Sequence, residues 1–264
     1  MPECVIVIPC HNEAARLDVD AVRNFLCTVP GTGIVTVDDG SSDGTRILLE
    51  EIAAAFPERC AVVVLPENRG KAEAVRAGVL RALEWKPELV GYWDADLATP
   101  FETVELMRSE FLRNPQLELV TGCRLRRLGG EVRRSLMRHL IGRCFATAAS
   151  LLLRLPVYDT QCGAKLFRGD TAELLFAEPF LTRWLFDVEL FFRFEASRGR
   201  VAALRRILEF PLPVWRDVGG SQLTLRSAPR ILAEFLRLVR SFRRIRRRMI
   251  CGRSSETIRK RAER

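Results

Sequence analysis

Cys4-Val5-Ile6-Val7-Ile8-Pro9-Cys10-His11-Asn12-Glu13 passes in one step from an unbroken apolar run to a polar end. A short β-branched run without polar alternation is the pattern of a strand buried on both faces, as in a parallel sheet. The pattern recurs downstream. Residues 34–37 stop at Asp38-Asp39-Gly40-Ser41-Ser42-Asp43-Gly44-Thr45, residues 61–65 at Pro66-Glu67-Asn68-Arg69-Gly70-Lys71, and residues 89–93 at Asp94-Ala95-Asp96; residues 119–122 give a fifth run. Helical periodicity fills the intervals at 20–27, 45–56, 71–85 and 101–113. This alternation predicts an α/β domain with a mostly parallel sheet flanked by helices, its ligands bound beyond the carboxyl ends of the strands. Four successive strand ends carry carboxylates, amides and glycines there.

Composition narrows the class. The 264 residues are 48% hydrophobic and 28% charged, which excludes a disordered or fibrous chain. Residues 229–264 hold 13 Lys and Arg against 3 Asp and Glu, a surplus of +10 beside +9 for the whole chain, so the basic character belongs to the tail. The reading is one domain over 1–228 and a basic tail over 229–264. In that tail Ile231, Phe235, Leu238, Phe242, Ile245 and Met249 recur at helical spacing among Arg237, Arg240, Arg243, Arg244, Arg246, Arg247 and Arg248. This predicts an amphipathic helix lying on an anionic membrane surface. The tail lacks Tyr and Trp for base stacking, and no nucleic acid partner is expected. Eight scattered cysteines and two histidines form no zinc pattern and fit a reducing compartment. The longest uncharged stretch, 144–153, is half of the roughly 20 residues that span a bilayer. With no signal-peptide pattern either, the expected place is cytoplasmic, peripheral on the cytoplasmic face of a membrane.

The second half is less regular. Residues 133–155 read as a helix, basic first and apolar later; 184–194 as a helix carrying Asp187 and Glu189; and 207–215 as a proline-bearing edge strand.

Each motif has a plain alternative. Side chains i and i+2 at a strand end point the same way, so Asp94 and Asp96 would meet, and hard carboxylate oxygens favour Mg²⁺ or Mn²⁺; otherwise Asp96 caps a helix and Asp94 is merely solvated. Asp38 and Asp39 close a buried strand where an acceptor suits a base N–H or a ribose hydroxyl, while Ser42 and Asp43 suit helix capping. Asn68, Gly70 and Lys71 bring a glycine and a cation to a helix start, a place for phosphate or for ordinary solvated charge. Arg124, Arg126, Arg127, Arg133 and Arg134 offer guanidinium groups to a diphosphate, although most charge runs are simply wet.

Taken in order, Pro9 to Glu13, Asp38 to Ser41, Asn68 to Lys71 and Asp94 to Asp96 resemble the P-x-x-N-E, D-D-G-S, N-x-G-K and D-A-D motifs of family 2 glycosyltransferases. Asp159 to Phe167, Arg183 to Glu189 and Trp215 to Ser221 are similar to signatures of the dolichyl-phosphate or polyprenyl-phosphate glucosyltransferase branch. The resemblance implies the Rossmann-like GT-A fold and an inverting, metal-dependent hexosyltransferase, with UDP-glucose favoured over GDP-mannose as donor and polyprenyl phosphate as acceptor. It implies that Pro9, His11, Glu13, Val37 and Asp39 hold the nucleoside, with Asn12, Asn68, Gly70, Lys71 and Ala95 also lining the substrate site. Asp94 and Asp96 would hold Mg²⁺ or Mn²⁺ and the diphosphate. Arg124, Arg134 and Arg216 would meet the phosphates, Ser221 would also line the substrate site, and Asp187 would sit near the sugar or the acceptor. Gln222 stands where the family carries a lysine, and Ala98 where mannosyl relatives carry a metal-binding glutamine. A family 2 transferase acting on a soluble glycan, or a non-catalytic nucleotide-sugar-binding scaffold, are the alternatives.

Overall fold

The computed structural model describes residues 1–125, 128, 131–133, 136–216 and 228–262. Four parallel strands, β1 (Cys4–Cys10), β2 (Thr32–Asp39), β3 (Cys60–Leu65) and β4 (Leu89–Trp93), are joined by crossover helices α1 (Val19–Thr28), α2 (Thr45–Ala55) and α3 (Lys71–Leu83). There follow α4 (Glu102–Arg113), β5 (Leu119–Cys123), β6 (Glu131–Arg133), α5 (Leu136–Leu153), β7 (Ala164–Arg168), α6 (Gly169–Phe176), α7 (Phe186–Arg198), α8 (Arg200–Arg206), β8 (Ile207–Pro211), β9 (Val214–Arg216) and α9 (Ala228–Ala262). The main sheet runs β3-β2-β1-β4-β7-β5-β8, with β7 antiparallel to both neighbours. The ends of β1 to β4 lead into the polar loops that follow each apolar run.

Alternation along β1 divides the core. Val5 and Val7 face a cluster shared with α3, α5, α6, α7 and α9, while Cys4, Ile6 and Ile8 face one shared with α1, α2 and α4. Helix α3 lies close on the first face because Gly78 has no side chain: a Cβ there would fall 2.3 Å from Val7 and 2.7 Å from Val37.

Two sequence readings change. The strand expected over 207–215 is two pieces, β8 at the sheet edge and β9 paired with β6 in a two-stranded parallel ribbon. Pro211 and Pro213 lack the N–H groups that a continuous ladder would need. Helix α9 is amphipathic as expected, but its apolar stripe does not face outward. Leu238 and Phe242 are fully buried, Phe242 stacks on Phe192 with ring centroids 3.6 Å apart, and Ile231 and Phe235 pack against the same core. Glu234 accepts from the backbone N–H groups of Arg183, Trp184 and Leu185, which lead into α7. Arg246 donates to the carbonyls of Leu152 and Leu153 and pairs with Glu195 at 2.7 Å. From Ile231 to Phe242 the stripe read as lipid-facing is therefore a protein-facing seam, whereas Ile245 is 37% exposed; Arg248 and Met249 have side chains outside the described set.

Candidate active site

The ends of β1 and β2 are laced together before any ligand arrives. Asn12, at a positive φ of 55°, donates its N–H to Ser41 Oγ at 3.0 Å and accepts from the Ser42 N–H at 2.9 Å. The Glu13 N–H donates to Thr45 Oγ1 at 2.8 Å, and the Ala14 N–H to Asp43 Oδ2 at 3.1 Å. His11 Nδ1 donates to the Asp39 carbonyl at 2.9 Å, which leaves Nε2 as the acceptor of the neutral ring. Asp39 itself is buried and accepts from the N–H groups of Arg69 at 2.7 Å and Gly70 at 2.8 Å, tying the β3 loop to β2. Pro9 is half-buried near the end of β1, and His11, Asn12, Asp39 and Asn68 thus line one wall. Glu13 joins it with its carboxylate engaged by Arg16 at 2.6 Å.

The facing element is the turn after β4. Asp94 and Asp96 lie past the strand's last residue, Trp93, in a turn closed by the Leu97 N–H donating to the Asp94 carbonyl at 3.1 Å. Turn geometry rather than strand alternation brings them together. Asp96 accepts from the Ala98 N–H at 3.0 Å and caps no helix, because α4 begins at Glu102. Lys71, the first residue of α3, pairs with Asp94 at 2.5 Å. Burial pushes the Asp94 carboxyl up, but Lys71, with help from Arg124 and Lys165, outweighs it and holds Asp94 below the usual carboxylate range. Asp96 goes the other way: burial and then the Asp94 charge push it up. One carboxylate is neutralised by a lysine and its neighbour is not, an arrangement that a bound cation would relieve.

The floor of the site is a buried polar device. Lys165, within strand β7, is fully buried and donates to the carbonyls of Thr160 at 3.1 Å and Cys162 at 2.7 Å, and to Asp187. Tyr92 donates its hydroxyl to the same Asp187 oxygen, and burial followed by the Asp187 charge pushes the phenol well above its ordinary value. This network holds the 160–163 loop beside Asp94. A Cβ on Gly163 would lie 1.9 Å from an Asp94 oxygen, so only glycine fits. Burial raises the Cys162 thiol to about 11, which removes it as a nucleophile at neutral pH.

Several expected site residues take other parts. Asp187, expected near the sugar or acceptor, is 3% exposed beneath the site and pairs with Lys165. Arg124 makes a two-pronged ion pair with Asp159, Nε at 2.7 Å and Nη2 at 2.8 Å, which engages the fork expected to clamp phosphate. The Val37 side chain is buried under α3, and Ala95 is 6% exposed in the opposite core, so neither presents a side chain to a ligand. Arg216 is exposed at the end of β9, whose N–H donates to the Ala98 carbonyl at 3.0 Å, and so stands beside the aspartate turn. Arg134 and Ser221, like Arg126, Arg127 and Gln222, lie outside the described residues. Sequence reading missed Tyr92 and the use of Arg183, whose Nη2 donates to Asn68 Oδ1 at 2.7 Å and braces the Gly70 loop. A lone lysine within an apolar run was the available signal, since such a charge demands buried partners.

Two carboxylates on one turn match the protein's share of a Mg²⁺ or Mn²⁺ shell completed by a diphosphate and water. Among the described residues no group of three or more His, Cys, Asp or Glu builds a closed protein-only metal site. The site's residues therefore fit a cation shared with a phosphate ligand. Residues 5–175, which span these walls, match the family model described as glycosyl transferase family 2. The chain belongs to glycosyl transferase family 2. This family 2 transferase is 32% identical over 241 residues to the dolichyl-phosphate beta-glucosyltransferase of Saccharomyces cerevisiae, covering 83% of this chain and 69% of that one. It is 30% identical over 237 residues to the mouse protein of the same name, covering 83% and 68%. Among solved structures, glucosyl-3-phosphoglycerate synthase from Mycobacterium tuberculosis, in complex with Mn²⁺, UDP-glucose and phosphoglyceric acid, superposes with a TM-score of 0.67 at 20% identity, over 90% of this family 2 transferase and 80% of that chain. That likeness establishes the shared GT-A architecture.

Proposed function

We propose that this transferase moves glucose from UDP-glucose to a dolichyl or polyprenyl phosphate, with inversion at the sugar carbon, as a peripheral enzyme on the cytoplasmic face of a membrane. The observation that carries the reading is the aspartate turn with Lys71 beside it, at the mouth formed by successive strand ends. The names of the yeast and mouse relatives support the glucosyl donor and lipid-phosphate acceptor. The transferase unit would not end at residue 228, because Leu238 and Phe242 of the basic 229–264 segment belong to its core.

Asp94 and Asp96 would hold Mg²⁺ or Mn²⁺, which when bound supplies neutralising charge to the departing nucleotide diphosphate. The chain's own residues do the rest. The laced 11–13 and 41–45 loops with Asp39 and Asn68 hold the nucleoside in a fixed trough, so little ordering remains at binding. Lys71, paired with Asp94 at the first residue of α3, would lend a positive charge to the diphosphate there, where backbone N–H groups also favour anions. Arg216 approaches from β9 on the same side. A phosphate monoester with a second pKa near ~6 is already largely ionised at neutral pH, so the acceptor attacks without a strong protein base. Lys71 and the exposed Arg216 beside the turn support an electrostatic role for the site.

A thermal-shift panel tests the donor. A ligand that binds only the folded state raises the melting temperature by mass action. UDP-glucose with Mn²⁺ is expected to stabilise the protein more than GDP-mannose with Mn²⁺, and more than UDP-glucose with chelator. Stabilisation by GDP-mannose alone would reject the donor assignment.

A further inference from the structure

With its apolar stripe docked on the domain, α9 turns a different face outward. Helical geometry places residues 232, 236, 240, 243 and 247 on one stripe about 22 Å long, opposite Leu238 and Phe242. Leu232 is 59% exposed and Leu236 45% exposed at its start, and Arg240, Arg243, Arg244 and Arg247 are exposed along the rest. From residue 229 to 247 the one acidic residue, Glu234, is turned inward onto the backbone of 183–185. Arg246, between these arginines in sequence, points the other way and is engaged by Glu195. The surface is therefore strongly cationic, uncompensated between residues 229 and 247, and held in place by the seam behind it.

We infer that this outward arginine face of α9 is a docking surface for a bilayer carrying anionic headgroups. The inference rests on the lipid-acceptor reading for its purpose, and it differs from ordinary amphipathic insertion because the apolar stripe is already occupied by protein. Charge complementarity supplies the attraction: each arginine near an anionic leaflet contributes roughly fivefold in affinity. The two exposed leucines add shallow apolar contact at one end, whereas an RNA-binding face would present aromatic side chains between the arginines. Glu234 carries the position of this helix to the 183–185 segment, and Arg183 passes it to the Asn68–Gly70 loop, so the docked face and the donor wall share one rigid support.

The test is co-sedimentation of the full chain with vesicles of pure phosphatidylcholine and of phosphatidylcholine mixed with phosphatidylserine. The parent protein is expected to bind the mixed vesicles and not the neutral ones, with affinity falling as salt rises. Replacing Arg240, Arg243, Arg244 and Arg247 together by serine is expected to lower that affinity by at least about a hundredfold. The same four positions as lysine are expected to keep most of it. Unchanged binding by the serine variant, lost binding by the lysine variant, or tighter binding of the parent to polyuridylic acid than to the mixed vesicles would each overturn the inference. Glucose transfer to a short-chain, water-soluble polyprenyl phosphate is expected to be equal in parent and serine variant. Absence of that transfer in the parent would reject the acceptor reading while leaving the vesicle result to stand by itself.

Discussion

At the scale of single residues, the two aspartates of one turn have opposite electrostatic positions. Asp96 is pushed up by burial and the Asp94 charge, so its ionisation works against the fold. Asp96→Asn is accordingly expected to leave the melting temperature unchanged or slightly raised while reducing glucosyl transfer by about 10³-fold or more. A fold lost together with activity would assign Asp96 a structural part instead. Gly163→Ala would put a methyl against the Asp94 carboxylate and is expected to weaken Mn²⁺ binding, read by calorimetry in the presence of UDP. Asp159 shows the opposite linkage. Burial pushes its carboxyl up, but Arg124 overrules this and holds it at about 2. A carboxyl held lower in the folded than in the unfolded state stabilises above about pH 4, and that contribution fades as pH falls toward about 2. Acid unfolding of the parent should therefore steepen in this window, and Asp159→Asn should remove the effect. The same substitution leaves Arg124 buried without its partner, at a cost of about 3–5 kcal/mol at neutral pH. The aspartate turn was legible from sequence because carboxylates stood at the end of an apolar run. The engagement of Arg124 was not, because Asp159 lies 35 residues away and nothing local announces the pairing.

At the scale of elements, the strands that close in apolar runs were legible and β7 was not. Lys165 and Arg168 interrupt its apolar pattern, and the antiparallel insertion between β4 and β5 is set by tertiary contacts with Tyr92 and Asp187. Helix α9 teaches a related limit. The spacing of Ile231, Phe235, Leu238 and Phe242 declares an apolar face but not whether lipid or protein covers it. Phe242→Ala is expected to cost about 3–5 kcal/mol in denaturant unfolding, as for a fully buried aromatic, rather than the near-zero effect of a lipid-facing residue. Glu234→Gln keeps the size of the cap but removes its charge from three N–H groups. It is expected to cost about 1–2 kcal/mol and to raise hydrogen exchange at residues 183–185.

At the scale of the whole molecule, the sheet presents its loops on one side, and α9 fastens the second half of the chain to the first through the same core. Deleting residues 229–264 would remove Leu238 and Phe242 from that core as well as the outward arginines. The truncated chain is expected to melt well below the parent, because the two buried side chains alone contribute roughly 4–6 kcal/mol. No helix among the described residues is long and apolar enough to cross a membrane. The measurement that bears most directly on the proposed activity is transfer of radiolabelled glucose from UDP-glucose into an organic-soluble glucosyl phosphoryl lipid, with dolichyl phosphate as acceptor. Labelled lipid is expected with Mg²⁺ or Mn²⁺ and none with chelator. Undiminished transfer in the chelator, or no labelled lipid from UDP-glucose in the presence of either cation, would contradict it.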